Sequence, residues 1–97
     1  MAVVEVTVVP LGTGGPSLSA YVKGVLSVLE RHPEVKALVG PNGTALEGGL
    51  DELWPVIREM HEAPFAVGVQ RVLTLVNVDD RRDKAVTLEG KVAAVAG

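Results

Sequence analysis

The sequence predicts an α+β sandwich: a four-stranded antiparallel sheet with two long helices on one face and a short helix at the end. Three observations carry this. Stretches of two-residue alternation and stretches of helical spacing follow one another in the order β-α-β-β-α-β. Asn42-Gly43, a strong turn signal, joins the second and third strands with no helix between them. Glycine and proline punctuate the junctions at 10–16, 33, 40–43, 48–49 and 68. That order is the split βαβ pair of the ferredoxin-like fold.

Each element has its own signal. Residues 2–9 form the first predicted strand, with Ala2, Val4, Val6 and Val8 on one face and Val3, Glu5, Thr7 and Val9 on the other. Pro10 to Pro16 reads as a loop. Ser17 is placed to cap a helix that runs to about His32, with Leu18, Tyr21, Val22, Val25 and Leu29 at helical spacing, and Pro33 stops it. Residues 34–40 are the second strand, with Val35, Ala37 and Val39 on one face, and residues 44–48 the third. The second helix starts near Leu50 or Asp51 and carries the apolar stripe Leu53, Trp54, Ile57 and Met60. Pro55 lies near its first turn, where a missing N–H costs little. Pro64 ends or kinks the helix. Gly68 followed by Val69 suits a C-terminal cap and favours a kinked helix to Val67. Residues 70–78 are the fourth strand, and Asp79 to Lys84 is a charged turn. Thr87 caps a short last helix through Ala96, weakened by Gly90.

Composition narrows the function classes. Ninety-seven residues make one domain, spanning 1–97. The chain is 47% hydrophobic, which is a globular composition, and its only aromatic residues of the Phe, Trp and Tyr type are Tyr21, Trp54 and Phe65, so the core is aliphatic. A net charge of −3 with scattered basic residues argues against nucleic acid, which needs a concentrated basic face. Without cysteine there is no disulfide framework, thiol catalysis or thiolate metal site. No apolar run reaches the length of a membrane span, and the N-terminus lacks the features of a signal peptide, so a cytoplasmic location is expected. The first and fourth strands are apolar on both faces: Val72, Val76 and Val78 lie on one side of the fourth, Leu73 and Leu75 on the other. A sheet of this kind needs a second cover. The last helix supplies part of it and a second copy of the chain the rest, so a homo-oligomer is expected.

The chemistry concentrates around residues 40–52. Two reversals, at Asn42-Gly43 and Gly48-Gly49, hold Thr44 and Glu47 on a short, constrained segment. Glu47 has no neighbouring His or second acid in sequence, which makes acid–base catalysis a poor fit. It suits accepting hydrogen bonds from an amino group or balancing a cation, or else it is an ion-paired glutamate on an edge strand. The loop Gly12-Thr13-Gly14-Gly15 leads from a strand to a helix start, where backbone N–H groups can hold a phosphate or carboxylate. It lacks the lysine of a P-loop and the spacing of a dinucleotide fingerprint, so a flexible turn is the first reading. Trp54 can stack on a heterocycle or cation, but its spacing with Leu53 and Ile57 favours core packing. His32 complements a helix C-terminus and His61 edges the core. They are far apart in the predicted fold, so no histidine metal site is expected. Asp79 to Lys84 alternates in sign, a solvated turn without the spacing of a calcium loop.

An ordered set of segments resembles the small thiamine-binding proteins of the YkoF-like superfamily, long catalogued as an uncharacterised family. The set is Val9-Pro10-Leu11-Gly12-Thr13, Ser17-Leu18-Ser19-Ala20-Tyr21-Val22, the run from Gly40 to Gly48, Asp51-Glu52-Leu53-Trp54, Gly68-Val69-Gln70-Arg71-Val72, and Arg82-Asp83-Lys84 followed by Lys91-Val92. The resemblance implies a ferredoxin-like subunit that assembles as dimers and often tetramers through its sheets. It also implies binding, without catalysis, of thiamine or its hydroxymethylpyrimidine part, for sequestration or delivery. Glu47, Thr44, Ser17, Ser19, Asn42 and Gly43 are the expected ligand-binding residues, with no metal and no cofactor. Glu47 would accept from the exocyclic amine or offset the thiazolium charge, and Thr44, Ser17 or Ser19 would donate to a ring nitrogen. Asn42 departs from the pattern, since similar proteins often carry Met there, and Pro55 and Pro64 are unusual inside the second helix. Two other readings stand beside this one: a structural or regulatory oligomeric module without a vitamin ligand, and a small enzyme with Glu47 as base.

Overall fold

A computed structural model describes residues 1–12, 19–40, 42–83 and 89–90. The element order is β1 (Ala2–Leu11), α1 (Ser19–Glu30), β2 (Lys36–Val39), β3 (Thr44–Gly48), α2 (Leu50–Ala66) and β4 (Arg71–Asp80). The sheet is antiparallel with strand order β2-β3-β1-β4, the ferredoxin-like arrangement that the sequence predicts. Both helices pack on one face, and the core lies between that face and them. Val4, Val6 and Leu46 of the sheet meet Val28 of α1 and Leu53, Val56, Ile57 and Met60 of α2. The expected last helix falls largely on residues outside those described.

Four boundaries or faces differ from expectation, each for a physical reason. β1 runs through Pro10 to Leu11, where a loop was expected. Beyond Val6, β1 pairs only with β4, so its other side is an open edge, and an edge tolerates a residue without an N–H. β4 likewise extends to Asp80, because Asp79 and Asp80 pair with Val3 and Ala2 at the start of β1. The charged turn therefore begins only at Arg81, and the pairs Arg81–Asp83 and Arg82–Asp80 shape its first residues. β2 is shorter than expected, since five-residue β3 offers it only four partners. On the helices, the expected stripes shift by a fraction of a turn. Trp54 is 48% exposed while Val56 is buried, and Val22 is 49% exposed while Val28 is buried.

The ends of α2 explain how a helix with two internal prolines holds its place. Gly49 caps it without a side-chain bond, and Asp51 and Glu52 complement the helix dipole in the first turn. At the C-terminus Gly68 adopts φ +97° and donates to the Phe65 carbonyl at 3.1 Å, and Val69 donates to the Pro64 carbonyl at 3.2 Å. This is the glycine cap expected from Gly68-Val69, with buried Val69 supplying the hydrophobic contact. Pro64 itself is fully buried, so its ring works as a core side chain.

Candidate functional site

β1 and β4 are ten residues long, while β2 and β3 are four and five. The sheet therefore narrows from four strands to two beyond Val6. The inner face of β1 past that point is roofed by the first half of α1 but not flanked by β3. The result is a cleft of about 190 Å³, with Val6, Val8 and Pro10 as its floor. Tyr21, Val22 and Val25 of α1 and Met60 and Pro64 of α2 form its walls. The turn residues Gly40 and Gly43, with Thr44 at the start of β3, close its end.

The described lining of the cleft is apolar except at Thr44 and Tyr21. Thr44 is 5% exposed, and its side chain makes no hydrogen bond to another described residue. No buried side-chain polar atom of the described residues is both sealed and unsatisfied, and Thr44 is among the residues that line the cleft. The turn beside it is tightly built. Gly40 donates its N–H to the Gly43 carbonyl at 2.8 Å, and the Thr7 hydroxyl donates to the Asn42 carbonyl at 3.1 Å. Gly43 does not adopt the positive φ that an Asn-Gly turn suggests. It is glycine for lack of room: a Cβ there would stand 2.9 Å from Thr7 Oγ1 and 3.1 Å from the Val6 carbonyl oxygen.

The expected site residues divide between two faces. Thr44 pairs with Val6 and faces the helices, whereas Glu47 pairs with Val3 and faces outward. Residues three apart on a strand point to opposite sides, so the structure does not bring Thr44 and Glu47 together. Glu47 is nonetheless only 9% exposed, and its side chain makes no hydrogen bond or ion pair to another described residue. Lys36 lies directly across from it on β2, with its ammonium paired to Glu89. Gly43 lines the cleft, whereas Asn42 is exposed in the turn before it and is engaged through its backbone carbonyl. Ser19 opens α1, two residues before Tyr21, while Ser17 and Thr13 to Gly15 lie outside the described residues. Tyr21, Val25 and Met60 appear in the sequence only as members of apolar stripes. Their role in the cleft comes from the unequal strand lengths.

Other polar clusters lie away from the cleft. His32, just past α1, bonds Glu34 Oε1 through Nδ1 at 3.1 Å and Glu59 of α2 through Nε2, and Arg31 reaches the same Glu59 at 3.0 Å. The Glu59 and Glu34 carboxylates raise the pKa of His32 above 6.5. Arg31, with His32, holds Glu59 below the usual carboxylate range, and Glu34 is held low by its own backbone N–H and by His32. His61 edges the core, as expected, bonding Thr74 Oγ1 at 2.7 Å. Among the described residues no three His, Cys, Asp or Glu side chains come together to hold a metal ion, and no helix is long and apolar enough to cross a membrane. A larger groove of about 540 Å³ lies between the two helices, but its polar lining (Arg31, Arg58, Glu59 and Glu62 among it) balances in charge and contains no buried polar group.

Comparison with known proteins places these features in context. The model of a family described as thiamine-binding protein matches residues 4–96. The UPF0045 protein YqgV of Bacillus subtilis is 46% identical, over 98% of this chain and 94% of its own length. The solved structure of the hypothetical protein MJ1052 of Methanocaldococcus jannaschii superposes with a TM-score of 0.83 at 37% identity, covering 98% of this chain and 95% of that one. The structure of TM0486 of Thermotoga maritima, described as that of a thiamine biosynthesis/salvage protein, shares the fold with a TM-score of 0.77 at 21% identity, over 97% of each chain.

Proposed function

The chain belongs to the thiamine-binding protein family, and from that premise we propose that it is a cytoplasmic, non-catalytic binder of thiamine through its hydroxymethylpyrimidine part, for sequestration or delivery. The observation that carries the reading is the cleft beside Thr44. Its volume of about 190 Å³ falls short of the roughly 300–1,000 Å³ of a pocket for a drug-sized ligand. It exceeds the roughly 150 Å³ that accommodates benzene. One substituted six-membered ring fits these bounds, and an aminopyrimidine is such a ring. Apolar walls take its faces and methyl group, and the Thr44 hydroxyl donates to a ring nitrogen. Ser17 and Ser19, at the approach to α1, are the further donors we propose. Gly43 keeps the turn against β1 and so holds Thr44 in place.

Calorimetric titration with thiamine and with free 4-amino-5-hydroxymethyl-2-methylpyrimidine tests this. Both ligands should bind, and Thr44→Val should weaken each by roughly two- to tenfold, the worth of one neutral hydrogen bond of about 0.5–1.5 kcal/mol. Val8→Phe, which fills the cleft, should abolish binding with the circular dichroism spectrum intact. Binding untouched by both changes would move the ligand elsewhere. A second reading rests on Glu47, which is 9% exposed and whose side chain bonds no other described residue; a carboxylate suits the thiazolium charge or the exocyclic amine on the outer face. Under it Glu47→Gln costs roughly 1.5–3 kcal/mol of binding and Thr44→Val costs nothing.

Assembly belongs to the same proposal. The outer sheet face leaves Leu38, Leu73 and Leu75 about half exposed (53%, 50% and 52%). We read it as the surface on which copies of the chain form a dimer or a tetramer.

A further inference from the structure

The geometry points to one orientation for that assembly: two copies pack their outer faces with strands antiparallel, and Arg71 of each copy pairs with Glu5 of the other. This inference rests on the assembly reading above and adds its register and its charge partners. On the outer face, cross-strand neighbours form rows. Leu11 lies beside Arg71, Val9 beside Leu73, Thr7 beside Leu75, Glu5 beside Asn77, and Val3 beside Asp79. Leu73 and Leu75 therefore sit at the middle of the face, with a cation one row beyond them and an anion one row before them. Arg71 and Glu5 are both exposed, and neither side chain makes a hydrogen bond or ion pair to another described residue. They cannot pair within one chain: Arg71 and Asn77 are six residues apart on β4, which at the rise of a strand separates Arg71 from Glu5 by about 20 Å.

Two ways of turning a second copy onto this face bring leucine against leucine. A two-fold axis parallel to the strands keeps each row at its own level. It sets the Arg71 row against itself and the Glu5 row against itself, so like charges meet. An axis perpendicular to the strands, midway between the Leu73 and Leu75 rows, reverses the order. Leu73 of one copy then covers Leu75 of the other, and Arg71 covers the Glu5–Asn77 row. Sheets packed face to face lie about 10 Å apart with strands crossing at about 30°, a gap that an arginine and a glutamate side chain span together. The apolar centre is the same in both arrangements, so the charges decide between them.

Sedimentation equilibrium at low ionic strength, on the wild type, Glu5→Arg, Arg71→Glu and the double exchange, tests the pairing. Each single change sets like charges together twice per dimer and should weaken association at least about tenfold. The double exchange should return the dissociation constant to within about threefold of wild type, while circular dichroism stays native in all four. Because the two residues are too far apart to pair in one chain, recovery in the double exchange is a signature of contact between copies. If the double exchange associates no better than the single variants, the pairing is overturned. If the single variants associate like wild type, the orientation is wrong and the assembly reading stands. A wild type that stays monomeric at every concentration overturns both.

Discussion

Gly43 and Gly68 are glycines for opposite reasons, and the difference can be measured. Gly68 has open space around its missing Cβ but a φ of +97°, which costs any residue with a side chain. Gly43 has no unusual φ, but a Cβ would collide with Thr7 Oγ1 and with backbone. Gly43→Ala should cost about 1–3 kcal/mol, since the β1 backbone cannot yield as a flexible side chain can. Gly68→Ala should cost about 1 kcal/mol. Asparagine separates the two: Gly68→Asn should be milder than Gly68→Ala, because Asn tolerates positive φ, whereas Gly43→Asn should be no milder than Gly43→Ala. Urea denaturation of the four variants checks all of this. At this scale the sequence showed that residues 40–43 turn and that 44–48 is a strand. It also contained the fact that Thr44 and Glu47, three apart, face opposite ways. What it did not contain is the collision that requires Gly43, because that depends on the approach of β1 from more than thirty residues away. Trp54 misleads as well, since its spacing with Leu53 and Ile57 suggests core, yet the helix phase set by Leu53, Val56, Ile57 and Met60 turns it outward.

At the scale of elements, the end of α1 is tied to α2 by charge as well as by packing. His32 bonds carboxylates through both ring nitrogens, an arrangement that suits the doubly protonated imidazolium. Its pKa is raised in the folded chain, so the stabilisation it contributes is fully present below the unfolded value of 6.5 and is lost as pH rises through the higher folded value. Glu59 and Glu34 have lowered values, so their contribution is present above the unfolded 4.5 and is lost as pH falls through the lower folded values. Thermal midpoints should therefore be highest between about pH 4.5 and 6.5 as far as this cluster is concerned. His32→Gln should flatten the decline on the alkaline side and leave the acid side largely in place, because Arg31 still holds Glu59. An alkaline decline of the same slope in His32→Gln would assign it to other groups. The types and order of these elements were legible because periodicity and turn residues are local. The lengths of β1 and β4 were not, since Pro10, Asp79 and Asp80 are poor strand residues that only cross-strand pairing keeps extended.

The whole molecule is a sheet with two apolar faces, one sealed by helices and one with its leucines open, and the candidate cleft exists only because the strands differ in length. The sequence announced the two faces through Val and Leu on both sides of β1 and β4, but the cleft had no local signature. Two leucines test the difference between the faces. Leu46 is fully buried beneath the helices, and Leu75 is 52% exposed on the other side. Leu46→Ala removes core contacts and leaves a cavity, which should cost about 2–5 kcal/mol. That is a large part of the roughly 5–15 kcal/mol that holds a domain of this size folded. It should lower the thermal midpoint by at least about 8 °C. Leu75→Lys removes nothing from the core, so a protomer dilute enough to be monomeric should unfold within about 0.5 kcal/mol of wild type. At micromolar concentration, however, the same variant should lose the extra stability that association confers, and its midpoint should no longer rise with protein concentration. The paired measurement is a set of thermal melts over a hundredfold range of concentration. If Leu75→Lys unfolds the dilute protomer as severely as Leu46→Ala does, the outer face is part of the core and the assembly reading fails. If its midpoint still climbs with concentration as the wild type's does, copies of the chain meet through some other surface.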